Sequence, residues 1–207
     1  MEQARLYLSV FIDNSASMTT ANLNQLLDGF AMLFQRFERE QEDQTLKINV
    51  MTFGNFQPLE IKQRDENGFS NELIKDGFPL LGRSITEMVK ELSKSLSEEK
   101  GPLHTPWVIV ISNGLSLDSL KDSHSALKTL KLKYNLRYLP FLTTREKVAS
   151  RQVESDQFES KKPMVILDHK MDLFFHWLSE DIHNRIMTPL DERVKSDKKL
   201  LEGWTIL

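Results

Sequence analysis

Residues 5–17, RLYLSVFIDNSAS, set the reading of the chain. Leu6, Leu8, Val10 and Ile12 fall on one side of an extended segment, and Tyr7, Ser9 and Phe11 fall on the other. Tyr7 and Phe11 are large enough to need cover, so both faces of this strand are packed. That is the mark of an interior strand in a mostly parallel sheet. The run ends at Asp13-Asn14-Ser15-Ala16-Ser17, a loop by composition.

Outward from this strand, the pattern switches period. Leu23, Leu26, Leu27, Phe30, Leu33, Phe34 and Phe37 recur at three and four residues, one stripe on a helix over 21–40. Leu46, Ile48 and Val50 alternate with Lys47, Asn49 and Met51 in a second strand that runs into Phe53 and the turn Gly54-Asn55. Residues 56–62 return as an antiparallel strand, and Pro58 places it at an edge. Residues 63–82 read as a long loop, followed by a helix over 84–98 with Ile85, Met88, Val89, Leu92 and Leu96 inward. Trp107 to Ile111 is a continuous apolar run, a central parallel strand closing in Ser112-Asn113-Gly114. A helix carrying Leu120, Leu127 and Leu130, a strand over 136–142 and a polar stretch over 143–162 come next. A short strand, Met164 to Leu167, leads to a last helix lined by Met171, Phe174, Phe175, Leu178, Ile182 and Ile186 and ended by Pro189. Strands alternating with helices give a doubly wound, mostly parallel α/β sheet with one antiparallel edge strand and helices on both faces. The domain is expected over residues 1–187, with a C-terminal extension at 188–207.

Composition removes several function classes. The 207 residues hold 27 Lys plus Arg against 30 Asp plus Glu, a formal charge of −3, so no broad field draws nucleic acid. There is no cysteine, which excludes a disulfide framework, a thiol nucleophile and thiolate zinc sites. No window approaches the roughly 20 apolar residues of a membrane span, and the N-terminus lacks a signal-peptide pattern, so a cytoplasmic protein without membrane contact is expected. The five histidines (His104, His124, His169, His176 and His183) show no carboxylate partner by spacing and read as surface or partly buried residues. Nothing in the chain assembles a general base with its target, so the expectation is a protein that is not an enzyme.

Open parallel sheets bind ligands beyond the carboxyl ends of their strands. Three polar segments fall there: Asp13-x-Ser15-x-Ser17, Ser84-x-Thr86 and Asn113-Gly114. One carboxylate among hydroxyls and an amide is an oxygen donor set, suited to a hard divalent cation such as Mg2+, with Mn2+ or Ca2+ as alternatives. Each segment also has a structural reading. Ser17 or Thr19 caps the helix near 21, Ser84 caps the next one with Glu87 completing a capping box, and Asn113-Gly114 forms a turn.

The stretch Phe11-Ile12-Asp13-Asn14-Ser15-Ala16-Ser17-Met18 resembles the opening of a von Willebrand factor type A (vWA) domain, whose metal-ion-dependent adhesion site begins D-x-S-x-S. Met51-Thr52-Phe53-Gly54, Gly82-x-Ser84-x-Thr86 and Val108 to Gly114 resemble later landmarks of that family. Phe174-Phe175-His176-Trp177-Leu178-Ser179 is similar to the last helix of its bacterial TerY-like or YegL-like branch, associated with tellurium-resistance and stress gene clusters. The resemblance implies a protein-interaction module whose metal captures a carboxylate of another protein, such as a kinase- or phosphatase-like product of the same gene cluster. It implies metal ligation by Asp13, Ser15, Ser17, either Ser84 or Thr86, and Asn113. Asn113 stands where the family has aspartate, which removes a charge from the site. A metal-independent scaffold with a vestigial site is the alternative. Trp204, Ile206 and Leu207 form an apolar tip that docks either on this domain or on a partner.

Overall fold

The structure is a computed structural model that describes residues 4–52, 80–114, 117–144, 164–190, 192 and 205–206. Its strands are β1 (Leu6–Ile12), β2 (Leu46–Thr52), β3 (Trp107–Ser112), β4 (Arg137–Thr144), β5 (Met164–Leu167) and β6 (Thr205–Ile206). They form one sheet in the order β2-β1-β3-β4-β5-β6. The first five are parallel, with Ile12 level with Thr52 on one side and Ile111 on the other. The helices are α1 (Thr20–Arg36), α2 (Glu38–Glu42), α3 (Leu81–Glu98), α4 (Lys121–Tyr134) and α5 (Met171–Met187).

The two-sided packing read from β1 holds residue by residue, since all seven of its residues are buried. Leu6, Leu8, Val10 and Ile12 join a core with Phe30 of α1 and Phe174 of α5, while Tyr7 and Phe11 join a second core with Ile85 of α3 and Leu127 of α4. Helices thus cover both faces and make three layers. On the first face Phe30 and Phe175 meet edge to face at 4.9 Å, as do Phe141 and Phe174. Contacts of this kind contribute about 1 kcal/mol each beyond the area they bury. Gly29 lets α1 and α5 approach closely, because a Cβ there would lie 2.0 Å from the Phe175 ring.

Several boundaries differ from those read in the sequence. The helix expected over 21–40 breaks at Phe37, which is buried and closes α1 by donating its N–H to the Leu33 carbonyl. The Gln41 side-chain amide then donates to the Phe34 carbonyl, a group that a continuous helix would have bonded internally, and to the Phe37 carbonyl, which also accepts from the Gln41 backbone amide. The helix expected from 84 begins at Leu81. The antiparallel strand expected at 56–62 and the loop before residue 80 lie outside the described residues, apart from Leu80 to Gly82, which lead into and open α3. The described antiparallel strand is β6 on the opposite edge, where Thr205 and Ile206 pair with Ile166 and Val165. Residues 205–206 therefore pair with this chain's own sheet. Among the described residues, no helix is long and apolar enough to cross a membrane.

His104 departs from the surface or partly buried role expected of the histidines. It is 3% exposed, and its Nδ1 accepts from Arg185 Nε at 3.1 Å and faces Nη2 at 3.0 Å. Burial first, and then the Arg185 charge, push the imidazole below its ordinary pKa. The unfolded chain therefore takes up this proton at a higher pH than the folded one does. The stabilisation is whole above the unfolded value of about 6.5 and is lost as pH falls below it toward the folded one. Urea midpoints measured from pH 7 to pH 5 should fall, and His104→Gln should flatten that slope. An unchanged slope in the variant would show that His104 is not its source.

Candidate metal centre

β1 ends at Ile12, so the chain leaves the sheet with Asp13 level with the end of β3. The Asp13 amide still donates to the Ile111 carbonyl at 2.8 Å, which holds the carboxylate at the sheet's rim. The Asp13 side chain is fully buried. One carboxylate oxygen accepts from the Ser15 amide at 2.9 Å, and the other accepts from the Ser112 hydroxyl at 2.8 Å. Ser15 and Ser17 turn toward each other, with their hydroxyl oxygens 2.7 Å apart. The Met18 amide closes the loop onto the Ser15 carbonyl, and Met18, itself buried, accepts from Thr143 of β4 through its sulfur at 3.8 Å. Thr19 rather than Ser17 caps α1, its hydroxyl accepting from the Asn22 amide at 3.2 Å. Ser17 is left to the loop.

The Ser84–Thr86 segment behaves differently from its sequence reading. Ser84 lies inside α3 rather than at its cap, and its hydroxyl donates to the Leu80 carbonyl at 2.7 Å. The Thr86 hydroxyl donates to the Gly82 carbonyl at 2.9 Å. Neither is hydrogen-bonded to Asp13, Ser15 or Ser17. The start of α3 is held by Asp118, whose two carboxylate oxygens accept from the Gly82 amide at 3.0 Å and the Arg83 amide at 2.7 Å. That is the job a capping box at Ser84 and Glu87 would have done. Gly82 is required there, because a Cβ would sit 2.2 Å from the Ser119 carbonyl oxygen. Asn113 follows Ser112 directly and is partly exposed, and the Gly114 amide donates to the Ser112 hydroxyl at 3.1 Å with Gly114 at φ +83°.

The structure therefore gathers Asp13, Ser15 and Ser17, with Asn113 next in the chain to the residue that holds Asp13. Ser84 and Thr86 stand on the helix that Asp118 ties to the loop after β3. Ser112 and Asp118 are the residues that sequence reasoning missed. Ser112 was visible as the last residue of an apolar run. Asp118 carried no local signal, since it caps a helix 36 residues earlier.

The donor set fits a small hard cation. Adjacent ligands of an octahedral Mg2+ shell stand about 2.9 Å apart, and the Ser15 and Ser17 oxygens are already near that spacing. Each Asp13 oxygen accepts one hydrogen bond and keeps a second lone pair. Ser84 and Thr86 donate their protons to backbone, which leaves their oxygens able to accept. Among the described residues, no group of three or more His, Asp or Glu gathers to hold a metal, so the set is one carboxylate with neutral oxygens.

No family model matches the chain, and no curated protein matches it. Among solved structures, one crystal form of proximal thread matrix protein 1 from the mussel byssus matches with TM-score 0.60 and 13% identity over 87% of this chain. Another structure of that protein matches with TM-score 0.57 and 15% identity, again over 87%. This chain spans 48% of each of those chains, about half their length. At such identities the likeness shows the fold alone, and it fits the three-layer, doubly wound, mostly parallel α/β sheet expected from the sequence.

Proposed function

We propose that this domain is a protein-interaction module that holds a divalent cation, Mg2+ in the first instance, at the carboxyl edge of its sheet and captures a carboxylate of a partner protein. The supporting observation is the pair of Ser15 and Ser17 hydroxyl oxygens, 2.7 Å apart beside the buried Asp13 carboxylate. Asp13, Ser15, Ser17 and Asn113 would hold the ion, with Ser84 or Thr86 on the α3 side. When bound, the ion supplies positive charge and an open coordination position. Asn113 brings no charge, so the partner's carboxylate is the group that balances the ion. The similarity of Phe174 to Ser179 to the last helix of the TerY-like branch supports a place beside kinase- or phosphatase-like partners in a bacterial stress-response complex. In this reading the domain binds and does not catalyse.

Mn2+ titration followed by water-proton relaxation tests the metal. Saturable binding by the wild type is expected, reversed by a chelator and weakened at least about tenfold when Ser15 and Ser17 are both alanine. Equal Mn2+ binding by the double variant, or none by the wild type, overturns the metal reading.

A second reading, a metal-independent scaffold, draws support from the Ser84 and Thr86 hydroxyls, both engaged by α3 backbone, and from Asp13, whose two oxygens are both occupied within the chain. That reading expects partner capture to survive chelation.

A further inference from the structure

Two exposed surfaces on opposite faces of the sheet complement each other. The first is on α4, where Lys121, Ser125, Lys128 and Leu132 are all exposed. They recur at four, three and four residues, so they form one stripe along the solvent side of the helix. Leu132 is 79% exposed, more than any other large apolar side chain among the described residues. α4 carries four lysines against one acid, Asp122, which stands about a quarter turn off the stripe. A single exposed leucine is ordinary. What gives this one meaning is the surface that answers it.

That surface is a groove of about 550 Å³ between α1 and α5. The two helices run side by side in the same direction, since Asn22 meets Asp168, Gly29 meets Phe175 and Arg36 pairs with Glu180. Met32, itself 68% exposed, and Phe175 give the groove apolar walls, and Asp28 and Asp172 line it as exposed acids. Asp28 precedes Met32 by four residues, as Lys128 precedes Leu132. Each pair thus sets a charge and an apolar group about 6 Å apart along a helix axis, with opposite charges in the two pairs. None of Lys121, Lys128, Asp28 and Asp172 forms an ion pair among the described residues. α1 and α5 cover one face of the sheet and α4 covers the other, so the stripe and the groove of one copy cannot meet.

We propose that the groove is filled by a second copy of this chain, whose α4 stripe seats between α1 and α5 so that the domain assembles head to tail. Laid parallel to α1, the incoming α4 puts Leu132 against Met32 and Phe175, and Lys128 between Asp28 and Asp172. Lys121, about 10 Å further back along α4, then lies on the side of Asp168. The buried leucine supplies the affinity, and the charges at the rim set the register. The contact is heterologous, because each copy keeps a free stripe on one face when its groove on the other is filled. The proposal is independent of the metal reading, since neither surface shares a residue with the Asp13 site.

Sedimentation velocity of the full chain in chelator, over rising protein concentration, is the test. Species larger than the monomer are expected to grow with concentration and to recede as salt is raised. Leu132→Asp and Met32→Lys, at exposed positions where folding is not at stake, should melt like the wild type. Each should weaken self-association at least about tenfold. Leu132→Asp keeps its groove and Met32→Lys keeps its stripe, so an equimolar mixture of the two should form a one-to-one dimer and stop there. A wild type that stays monomeric, a variant that associates as the wild type does, or a mixture that stays monomeric overturns the proposal.

Discussion

Asp13→Ala is expected to destabilise the domain by about 3 kcal/mol even without metal, because the substitution strands two buried donors. The Ser15 amide and the Ser112 hydroxyl both end on this carboxylate, and Asp13, Ser15 and Ser112 are each at most 1% exposed. A buried donor left without its acceptor costs about 1–3 kcal/mol. For a domain of this size 3 kcal/mol corresponds to a melting temperature lower by about 6–12 °C. Asp13→Asn keeps one oxygen acceptor and should cost about half as much. Thermal or urea unfolding in the presence of chelator measures both. A loss under 1 kcal/mol for Asp13→Ala would mean that the loop reorganises to satisfy its donors elsewhere. The result matters for function, since lost partner binding in Asp13→Ala would confound a missing ligand with a softened loop. Ser15→Ala and Ser17→Ala separate the two, because Ser15 keeps its amide bond to Asp13 when its hydroxyl is removed.

Much of this arrangement was legible before any coordinates. The period-two alternation of Leu6 to Ile12 with Tyr7 and Phe11 on the opposite side dictates a strand covered on both faces. The continuous apolar run from Trp107 to Ile111 dictates its neighbour. Once these two strands are parallel and adjacent, Asp13 and Ser112 must meet at one rim. What stayed hidden were long-range substitutions for local signals. Ser84 followed by Glu87 has the spacing of a capping box, yet the cap came from Asp118 in another loop, which outcompeted it by offering both carboxylate oxygens to two amides. The break at Phe37 was hidden for a similar reason, since the stripe from Leu23 to Phe37 continues through it. Only the return of the Gln41 side chain makes the break inexpensive. His104 looked like any other loop histidine because Arg185, its partner, lies 81 residues away.

The same kind of distant pairing governs the opposite end of the sheet, where Arg137→Ala is expected to cost about 3 kcal/mol. Arg137 opens β4, donates to Asp181 at 2.6 Å and lies over the Trp107 ring at 4.3 Å. Asp181 is only 3% exposed, and removing one member of a buried ion pair typically costs about 3–5 kcal/mol. The lower end of that range applies here for a reason visible on α5. Arg185 stands one turn beyond Asp181, and the charge of Arg137 bears on it, contributing after burial to a lowered Arg185 pKa. The two guanidinium groups thus repel each other, and deleting Arg137 relieves that repulsion while Asp181 loses its ion-pair partner. Arg137→Lys keeps the charge but surrenders the planar stack on Trp107, so it should fall between the wild type and Arg137→Ala. Adding Asp181→Asn to Arg137→Ala should recover about 1 kcal/mol or more in urea unfolding, because the amide carries no charge to leave buried. A double variant no more stable than Arg137→Ala alone would place the cost in lost packing on Trp107 instead of in the stranded carboxylate.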